Sequence, residues 1–159
     1  MAAFETLKLT QRDGVCFVTI DNPPVNVMTP RLYQELVAVT EQVEGNDSIR
    51  VVVFQSADPD FFIAHFDLEA ILMFPTDTAA QKSDQLTDFH AMCERVRPMP
   101  KPTIAKIAGR VGGGGSEFSS ACDMRFGLLG KTIVNQMEVP LGILPGGGGT
   151  QHLPRLLGR

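Results

Sequence analysis

The spacing of apolar residues predicts strands and helices that alternate along the chain. Residues 4–9 and 15–20 are apolar-rich, and residues 12–14 (RDG) between them form a turn sequence typical of a β-hairpin. Thr29 and Pro30 match the N-cap and the first residue of a helix. Apolar residues then recur at helical spacing as far as a glycine that suits the C-cap: Leu32, Leu36, Val39, Val43 and finally Gly45. The start of the chain therefore predicts two strands followed by a helix.

The middle of the chain continues the alternation. Residues 49–54 are a run of β-branched residues, as in a strand buried on both faces of a sheet. Residues 56–66 predict a loop, and Asp67 is a suitable N-cap for a short helix that ends at Met73. A longer helix is predicted over 78–97, because apolar residues form one stripe and prolines follow it. The stripe consists of Leu86, Phe89, Met92, Cys93 and Val96.

The C-terminal part repeats the same pattern of strands and helices. Strands are predicted at 103–108 and 124–129, a buried helix at 116–121 and a terminal helix at 150–157. The sequence contains neither an internal repeat nor a linker-like stretch. This alternation predicts one α/β domain over residues 1–159.

Composition excludes several classes of protein. The chain has 159 residues, with 14 Lys and Arg against 18 Asp and Glu, and 43% of its residues are hydrophobic. These values exclude a disordered tail, a collagen-like repeat and a disulfide-stapled scaffold. The net charge of -4 argues against nucleic acid as a partner, because binding to phosphates needs a basic face.

The sequence also indicates a compartment. No stretch reaches the roughly 18 consecutive apolar residues of a membrane span, and the N-terminus lacks a basic start followed by an apolar run. We therefore expect a cytoplasmic protein with no membrane partner. The cysteines are odd in number and lie among apolar neighbours, as reduced core thiols do: Cys16, Cys93 and Cys122.

The glycines indicate where a functional site could lie. The run of four glycines at 112–115 precedes Ser116 and would place free backbone N–H groups at the start of a helix, where they favour an anion or a developing oxyanion. Neither glycine run is followed by the lysine of a P-loop, and the first comes too late for a dinucleotide-binding fingerprint. Ser116 also lacks the second glycine of a nucleophile elbow. Close packing of a helix against a strand is the structural alternative.

Two glutamates stand among apolar residues. Glu117 lies in the predicted buried helix, and Glu138 lies in an apolar segment. A buried carboxylate is costly unless it is paired, so each has a structural partner or faces a cleft where a raised pKa suits acid-base chemistry. His65 with Asp67 and Glu69 does not match a recurrent metal-site spacing, and we expect no metal.

Four short motifs follow one another along the chain: residues 20–28 (IDNPPVNVM), residues 61–68 (FFIAHFDL), residues 101–105 followed by Gly109 and 113–117, and residues 138–151. Together they resemble the crotonase superfamily, the enoyl-CoA hydratase/isomerase family. The first is similar to that family's first turn against coenzyme A, and the second to its loop ending in Ala-Gly-x-Asp-Leu. The third is similar to its central glycine motif, and the fourth to its second acidic motif. The resemblance extends over essentially the whole chain. It implies an α/β fold of ββα units wound into a spiral, the ClpP/crotonase fold.

The resemblance also implies roles for individual residues. The backbone N–H groups of Phe66 and Gly114 would form an oxyanion hole for the thioester carbonyl of an acyl-CoA, a task that suits preorganised donors. Glu117 and Glu138 match the two catalytic glutamates of the hydratases, where one activates the water that attacks C3 and the other gives a proton to C2. The positions implied for binding coenzyme A are Val25, Val27, Ala64, Asp67 and Leu68. Coenzyme A is then part of the substrate, and no tightly bound cofactor is expected.

Three residues depart from the family pattern. His65 stands where the motif has glycine, which costs energy if that position needs a positive φ. Phe66 stands where the hydratases commonly have a small residue, so its ring would narrow the acyl pocket. Arg110 interrupts an otherwise apolar motif, and we expect it in solvent.

Because both glutamates are present, the resemblance favours an enoyl-CoA hydratase, a hydro-lyase that works in either direction. The alternatives are an enoyl-CoA isomerase, an acyl-CoA thioester hydrolase, and a non-catalytic acyl-CoA-binding subunit. The resemblance further implies a homotrimer or hexamer, whose interface helices would lie beyond the last residue given. We therefore expect this chain to be a crotonase-like, acyl-CoA-binding core without the C-terminal helical region.

Overall fold

A computed structural model describes residues 4–77, 79 and 82–158 of the protein. Within these residues the strands are β1 (Leu7–Arg12), β2 (Val15–Ile20), β3 (Val51–Ser56), β4 (Phe61–Ile63), β5 (Thr103–Ile107), β6 (Arg110–Gly112), β7 (Met124–Gly127) and β8 (Ile133–Asn135). The helices are α1 (Pro30–Glu44), α2 (Leu68–Leu72), α3 (Asp88–Val96), α4 (Gly114–Ala121) and α5 (Gly149–Leu157). A single 3-10 turn occupies Val139–Leu141.

The strands form two sheets that are wound together. Strands β1, β2, β3, β5 and β7 form a five-stranded sheet in that order, in which β1 and β2 are antiparallel and the other neighbours are parallel. Strands β4, β6 and β8 form a parallel three-stranded sheet. From β3 onward, each successive pair of strands gives one strand to each sheet and is followed by a helix. The expected α/β spiral of ββα units is therefore confirmed.

Local sequence explains the first three elements. Asp13 and Gly14 have φ values of 53° and 80°, the left-handed conformation of a two-residue hairpin turn, so β1 and β2 pair directly. The side chain of Thr29 caps α1 by accepting a hydrogen bond from the Leu32 N–H at 3.2 Å, and Pro30 is the first helical residue. The predicted hairpin and helix are both present, although β1 begins at Leu7 rather than at residue 4.

Three short strands were not predicted. The segment 56–66 contains β4 instead of being a loop throughout, and β6 and β8 lie in segments for which no strand was predicted. Each of these strands is three residues long and pairs with a segment far along the chain. So short an apolar pattern does not indicate a strand by itself.

The predicted helix over 78–97 is too long. Helix α3 begins only at Asp88, because the Thr87 side chain accepts a hydrogen bond from the His90 N–H at 3.4 Å and caps the helix there. Leu86 precedes the helix and is 59% exposed, so it does not belong to the buried stripe. Residues 78, 80 and 81 of the predicted helix lie outside the described residues.

Helix α4 lies at the centre of the fold, and all of its residues are buried. Phe118 packs edge-on against Phe54 of β3, with 5.0 Å between the ring centroids. A Cβ atom built at Gly115 would lie 2.6 Å from Ile63 Cβ, so only glycine lets α4 approach β4 this closely. Part of the first glycine run therefore serves packing, as the structural alternative proposed.

The last two strands leave apolar side chains in solvent. Strand β7 is an edge of the five-stranded sheet and β8 is an edge of the three-stranded sheet. The exposed apolar residues on and between these strands are Met124, Phe126, Leu128, Leu129, Ile133 and Val134.

Among the described residues, no helix is both long enough and apolar enough to cross a membrane.

Candidate active site

The loop after β4 holds Phe66 beside the turn that precedes α1. The Met28 N–H donates to the His65 carbonyl at 2.8 Å, and the Asp67 N–H donates to the Met28 carbonyl at 3.1 Å. The N–H of Phe66 lies between these two bonds and donates to no protein acceptor among the described residues. Such a donor is available to a ligand.

The first residue of α4 supplies a second available donor. Gly113 turns the chain into the helix with a φ of 51°, a conformation that favours glycine. The N–H of Gly114 donates to no acceptor in the described part of the chain, as expected at a helix N-terminus. A Cβ atom built at Gly114 would lie 3.5 Å from Phe66 Cβ, so the structure brings these two residues together.

Glu117 lies one turn further along α4 and is only 4% exposed. Its Oε1 accepts hydrogen bonds from the N–H groups of Gly147 at 2.8 Å and Gly149 at 2.9 Å. Burial raises the pKa of Glu117, and the nearby charge of Glu138 raises it further, while the two N–H donors and His90 oppose the shift. The net pKa of this carboxyl is above its ordinary value.

Glu138 lies close to the start of α4. It is half-buried at the start of the 3-10 turn, and its Oε1 lies 3.2 Å from a Cβ atom built at Gly113. Its Oε2 accepts a hydrogen bond from Gln136 Nε2 at 3.4 Å. The other amide atom of Gln136, Oε1, is buried without a partner among the described residues. Sequence reasoning missed Gln136, although its position two residues before Glu138 in one short segment could have indicated it.

His65 adopts the loop conformation without strain. Among the described residues the non-glycine positions with positive φ are Asp13 and Asn26, so His65 does not need the conformation that its place in the motif suggested. Its ring Nδ1 donates to the Phe66 carbonyl at 2.8 Å. This bond helps to fix the peptide that follows the Phe66 N–H.

The residues predicted to bind coenzyme A lie on two adjoining segments. Val25, Val27 and Ala64 are half-buried, Asp67 caps α2, and Leu68 is 44% exposed. These five residues come from the 22–28 turn and the 64–68 loop, which the Met28 bridge joins.

The 22–28 turn is held from inside by Asn26. This residue is buried with a φ of 53°, and its side chain donates to Ser56 Oγ at 2.8 Å and accepts from the Asn22 N–H at 2.7 Å. Asn26 therefore holds the turn in place beside the site. It was quoted in the motif but not singled out from the sequence.

The other candidates from the sequence are the cysteines, a metal cluster and Arg110, and we assign none of them a role in this site. All three cysteines are free and buried, and burial raises their pKa values, that of Cys122 to about 12. No group of three or more His, Cys, Asp and Glu side chains in the described ranges could hold a metal ion. Arg110 is exposed, as expected.

The spiral of ββα units, with a glycine-led buried helix between its sheets, places this chain in the class of crotonase-fold proteins. The chain belongs to the enoyl-CoA hydratase/isomerase family, whose sequence model matches residues 10–159.

Individual relatives agree with this assignment. The alpha subunit of the fatty acid oxidation complex of Shewanella halifaxensis is 36% identical over 158 residues, which cover 97% of this chain and 22% of that protein. A crystal structure from Streptomyces avermitilis, provisionally named an enoyl-CoA hydratase, is 39% identical with a TM-score of 0.84 and covers 99% of this chain and 58% of that one. For the enoyl-CoA hydratase of Bacillus anthracis the identity is 27%, the TM-score is 0.81, and the coverage is 98% and 59%. The chain thus spans about a fifth of the first relative and more than half of the two solved structures.

Proposed function

We propose that this chain carries the site of an enoyl-CoA hydratase, which adds water reversibly to the double bond of a 2-enoyl-CoA thioester. One observation carries the proposal: two backbone N–H groups that have no acceptor among the described residues lie beside two carboxylates from successive turns of the spiral. Membership of the family supports the acyl-CoA substrate. The choice of hydration over isomerisation rests on the presence of both carboxylates.

The N–H groups of Phe66 and Gly114 would bind the thioester oxygen. When water adds to C3, negative charge moves to this oxygen and an enolate forms. Donors that are already in place stabilise that charge without reorganisation, and each is worth about 3 to 4 kcal/mol in comparable sites. The N-terminus of α4 adds a favourable dipole at the same point.

The two carboxyl groups would divide the proton transfers. Glu117 is fixed through Oε1 by two N–H donors, which leaves Oε2 to accept a hydrogen bond from water, and a raised pKa makes it a stronger base. Glu117 would take a proton from water as the water oxygen bonds to C3. Glu138 would give a proton to C2, and transfer of one proton between the two carboxyl groups restores the starting state.

The test is the loss of the conjugated-thioester absorbance of crotonyl-CoA, measured with the parent chain and with Glu117→Gln and Glu138→Gln. We expect each substitution to lower kcat by at least about 100-fold, the range for general acid-base groups. Glu44→Gln is the matched control, because Glu44 ends α1 and its exposed carboxylate pairs with Arg95 at the surface.

Other outcomes would overturn the proposal in recognisable ways. Release of free thiol while the double bond persists identifies a thioester hydrolase. Movement of the double bond from 3-enoyl-CoA to 2-enoyl-CoA without hydration identifies an isomerase. Binding of coenzyme A thioesters without any turnover identifies a non-catalytic subunit.

The proposal extends to the setting of the reaction. The fatty acid oxidation relative supports fatty acyl thioesters as substrates, and the free, buried thiols support the cytoplasm. Coenzyme A would enter as part of the substrate, along the 22–28 turn and the 64–68 loop. A homotrimer or hexamer would cover the exposed apolar residues of β7 and β8, and the sedimentation mass of the protein tests that assembly.

A further inference from the structure

Aromatic rings close one side of the candidate site, and the proposed chemistry does not use them. Phe89 of α3 reaches two glycines of the site: its Cε2 lies 3.6 Å from a Cβ atom built at Gly114, and its Cε1 lies 2.6 Å from one built at Gly147. The same point at Gly147 is 2.2 Å from Glu117 Oε2. The Phe89 ring therefore lies beside both an oxyanion-hole donor and the carboxylate assigned to water.

Two further rings hold Phe89 in place. Tyr33 of α1 stacks on it, with 6.2 Å between centroids and an interplanar angle of 22°. Phe66 meets it edge-on, with 6.3 Å between centroids and an angle of 76°. Tyr33 and Phe66 are themselves 6.3 Å apart. These distances are typical of favourable aromatic pairs, and the rings come from two helices and one loop, so moving one ring disturbs the others.

The position of the rings limits the acyl group. A thioester whose carbonyl oxygen binds the Phe66 and Gly114 N–H groups must place C2 and C3 near the two carboxylates. The chain beyond C3 then runs past Glu117, where Phe89 stands. Each added methylene would have to displace a ring that its neighbours hold.

We propose that Phe89, supported by Tyr33 and Phe66, restricts this site to short 2-enoyl thioesters of about crotonyl size, because one methylene in an apolar pocket changes specificity by about 10- to 200-fold. This inference rests on the proposed function, since the oxyanion hole and the carboxylates set the direction of the acyl chain. Phe89 is here a specificity-determining residue and takes no part in proton transfer.

The test compares short and long thioesters in two ways. Turnover is measured with crotonyl-CoA and 2-octenoyl-CoA, and the Kd is measured by calorimetry with butyryl-CoA and octanoyl-CoA. We expect the parent chain to favour the short member of each pair by at least about tenfold. Phe89→Ala should reduce that preference by at least about tenfold, mainly by improving the long member.

Controls separate pocket size from folding. Phe126→Ala is the matched control, because Phe126 is 57% exposed on β7, and it should leave the preference unchanged. If Phe89→Ala does not fold, as judged by circular dichroism, Phe89→Leu removes the planar ring while keeping most of its volume and should reduce the preference in the same direction.

Each outcome has a distinct meaning. The size restriction is overturned if the parent chain turns over and binds the short and long thioesters equally well. It is also overturned if a folded Phe89 variant keeps the parent's preference for the short thioester. If neither enoyl thioester is hydrated but butyryl-CoA binds more tightly than octanoyl-CoA, and Phe89→Ala removes the difference, the hydratase proposal fails and the size restriction stands.

Discussion

At the scale of single residues, the orientation of Glu117 depends on the second glycine run. The N–H groups of Gly147 and Gly149 hold one carboxylate oxygen, and a side chain at 147 would collide with the other. Sequence reasoning identified Glu117 and the glycine run separately. The hydrogen bonds between them could not be predicted, because the donors are backbone N–H groups 30 and 32 residues from Glu117 and no side-chain pattern marks them.

Gly147→Ala should therefore impair catalysis more than stability. The new methyl group would lie 2.2 Å from Glu117 Oε2 and 2.6 Å from Phe89 Cε1, so the carboxylate must move. We expect a loss in kcat/KM for crotonyl-CoA of about 100-fold, as for other small misplacements of catalytic groups. Gly146→Ala is the matched control, since the nearest atom to its new methyl group is the Leu144 carbonyl oxygen at 3.8 Å. Equal activity of the two variants would contradict this account.

The pH dependence of the reaction should reveal the environment of Glu117. Burial is the largest cause that raises its pKa above the ordinary 4.5, and it acts also while Glu138 holds the proton that it would give to C2. A base works only when it is ionised. Activity should then increase with pH through the raised pKa, so the acid limb of kcat/KM lies above pH 4.5. The measurement is a pH profile with crotonyl-CoA, accompanied by thermal melts at each pH to exclude unfolding. An acid limb at or below 4.5 would remove Glu117 from the role of base.

At the scale of elements, the turn between β5 and β6 packs directly on the chain before β4. A Cβ atom built at Gly109 would lie 2.2 Å from the Asp60 carbonyl oxygen, whereas one at Gly45, after α1, meets only the Glu41 carbonyl oxygen at 3.8 Å. We expect Gly109→Ala to lower the free energy of unfolding by about 1 to 3 kcal/mol, the usual cost of overpacking. Gly45→Ala should change it by less than about 1 kcal/mol. Urea unfolding of both variants provides the comparison, and similar midpoints would contradict the packing argument.

The elements also show how far the sequence predicts this fold. The hairpin turn at Asp13 and Gly14 and the cap at Thr29 were predictable, because their physical causes lie within a few residues. Strands β4, β6 and β8 were not, because each gains its stability from pairing with a distant segment. The start of α3 was misplaced because Leu86 has the spacing of the buried stripe but lies before the Thr87 cap.

For the candidate site, the sequence indicated the carboxylates and the glycine-led helix. The resemblance to a known family then supplied the partner donor at Phe66. Neither source indicated the ring contacts of Phe89 or the amide of Gln136, since both arise from tertiary packing between elements.

At the scale of the whole molecule, the exposed edge strands β7 and β8 should promote association. Unpaired strand edges with apolar side chains are templates for pairing with another chain. We expect the sedimentation mass of the 159-residue chain to increase with concentration, and Val134→Lys on β8 to reduce that increase. Thr10→Lys on β1, the opposite edge of the larger sheet, is the control and should have little effect. A mass that is independent of concentration would show that these edges are inert.

The spiral places the two carboxylates of the candidate site on separate segments of the chain. Glu117 belongs to the helix after β6 and Glu138 to the segment after β8, and the exposed turn at Gly130 lies between them. A chain divided at that turn gives two pieces, each with one carboxylate and neither able to complete the proposed proton transfers. Catalysis would then require both pieces to come together again, so hydration of crotonyl-CoA would report their association, as in a split-enzyme sensor.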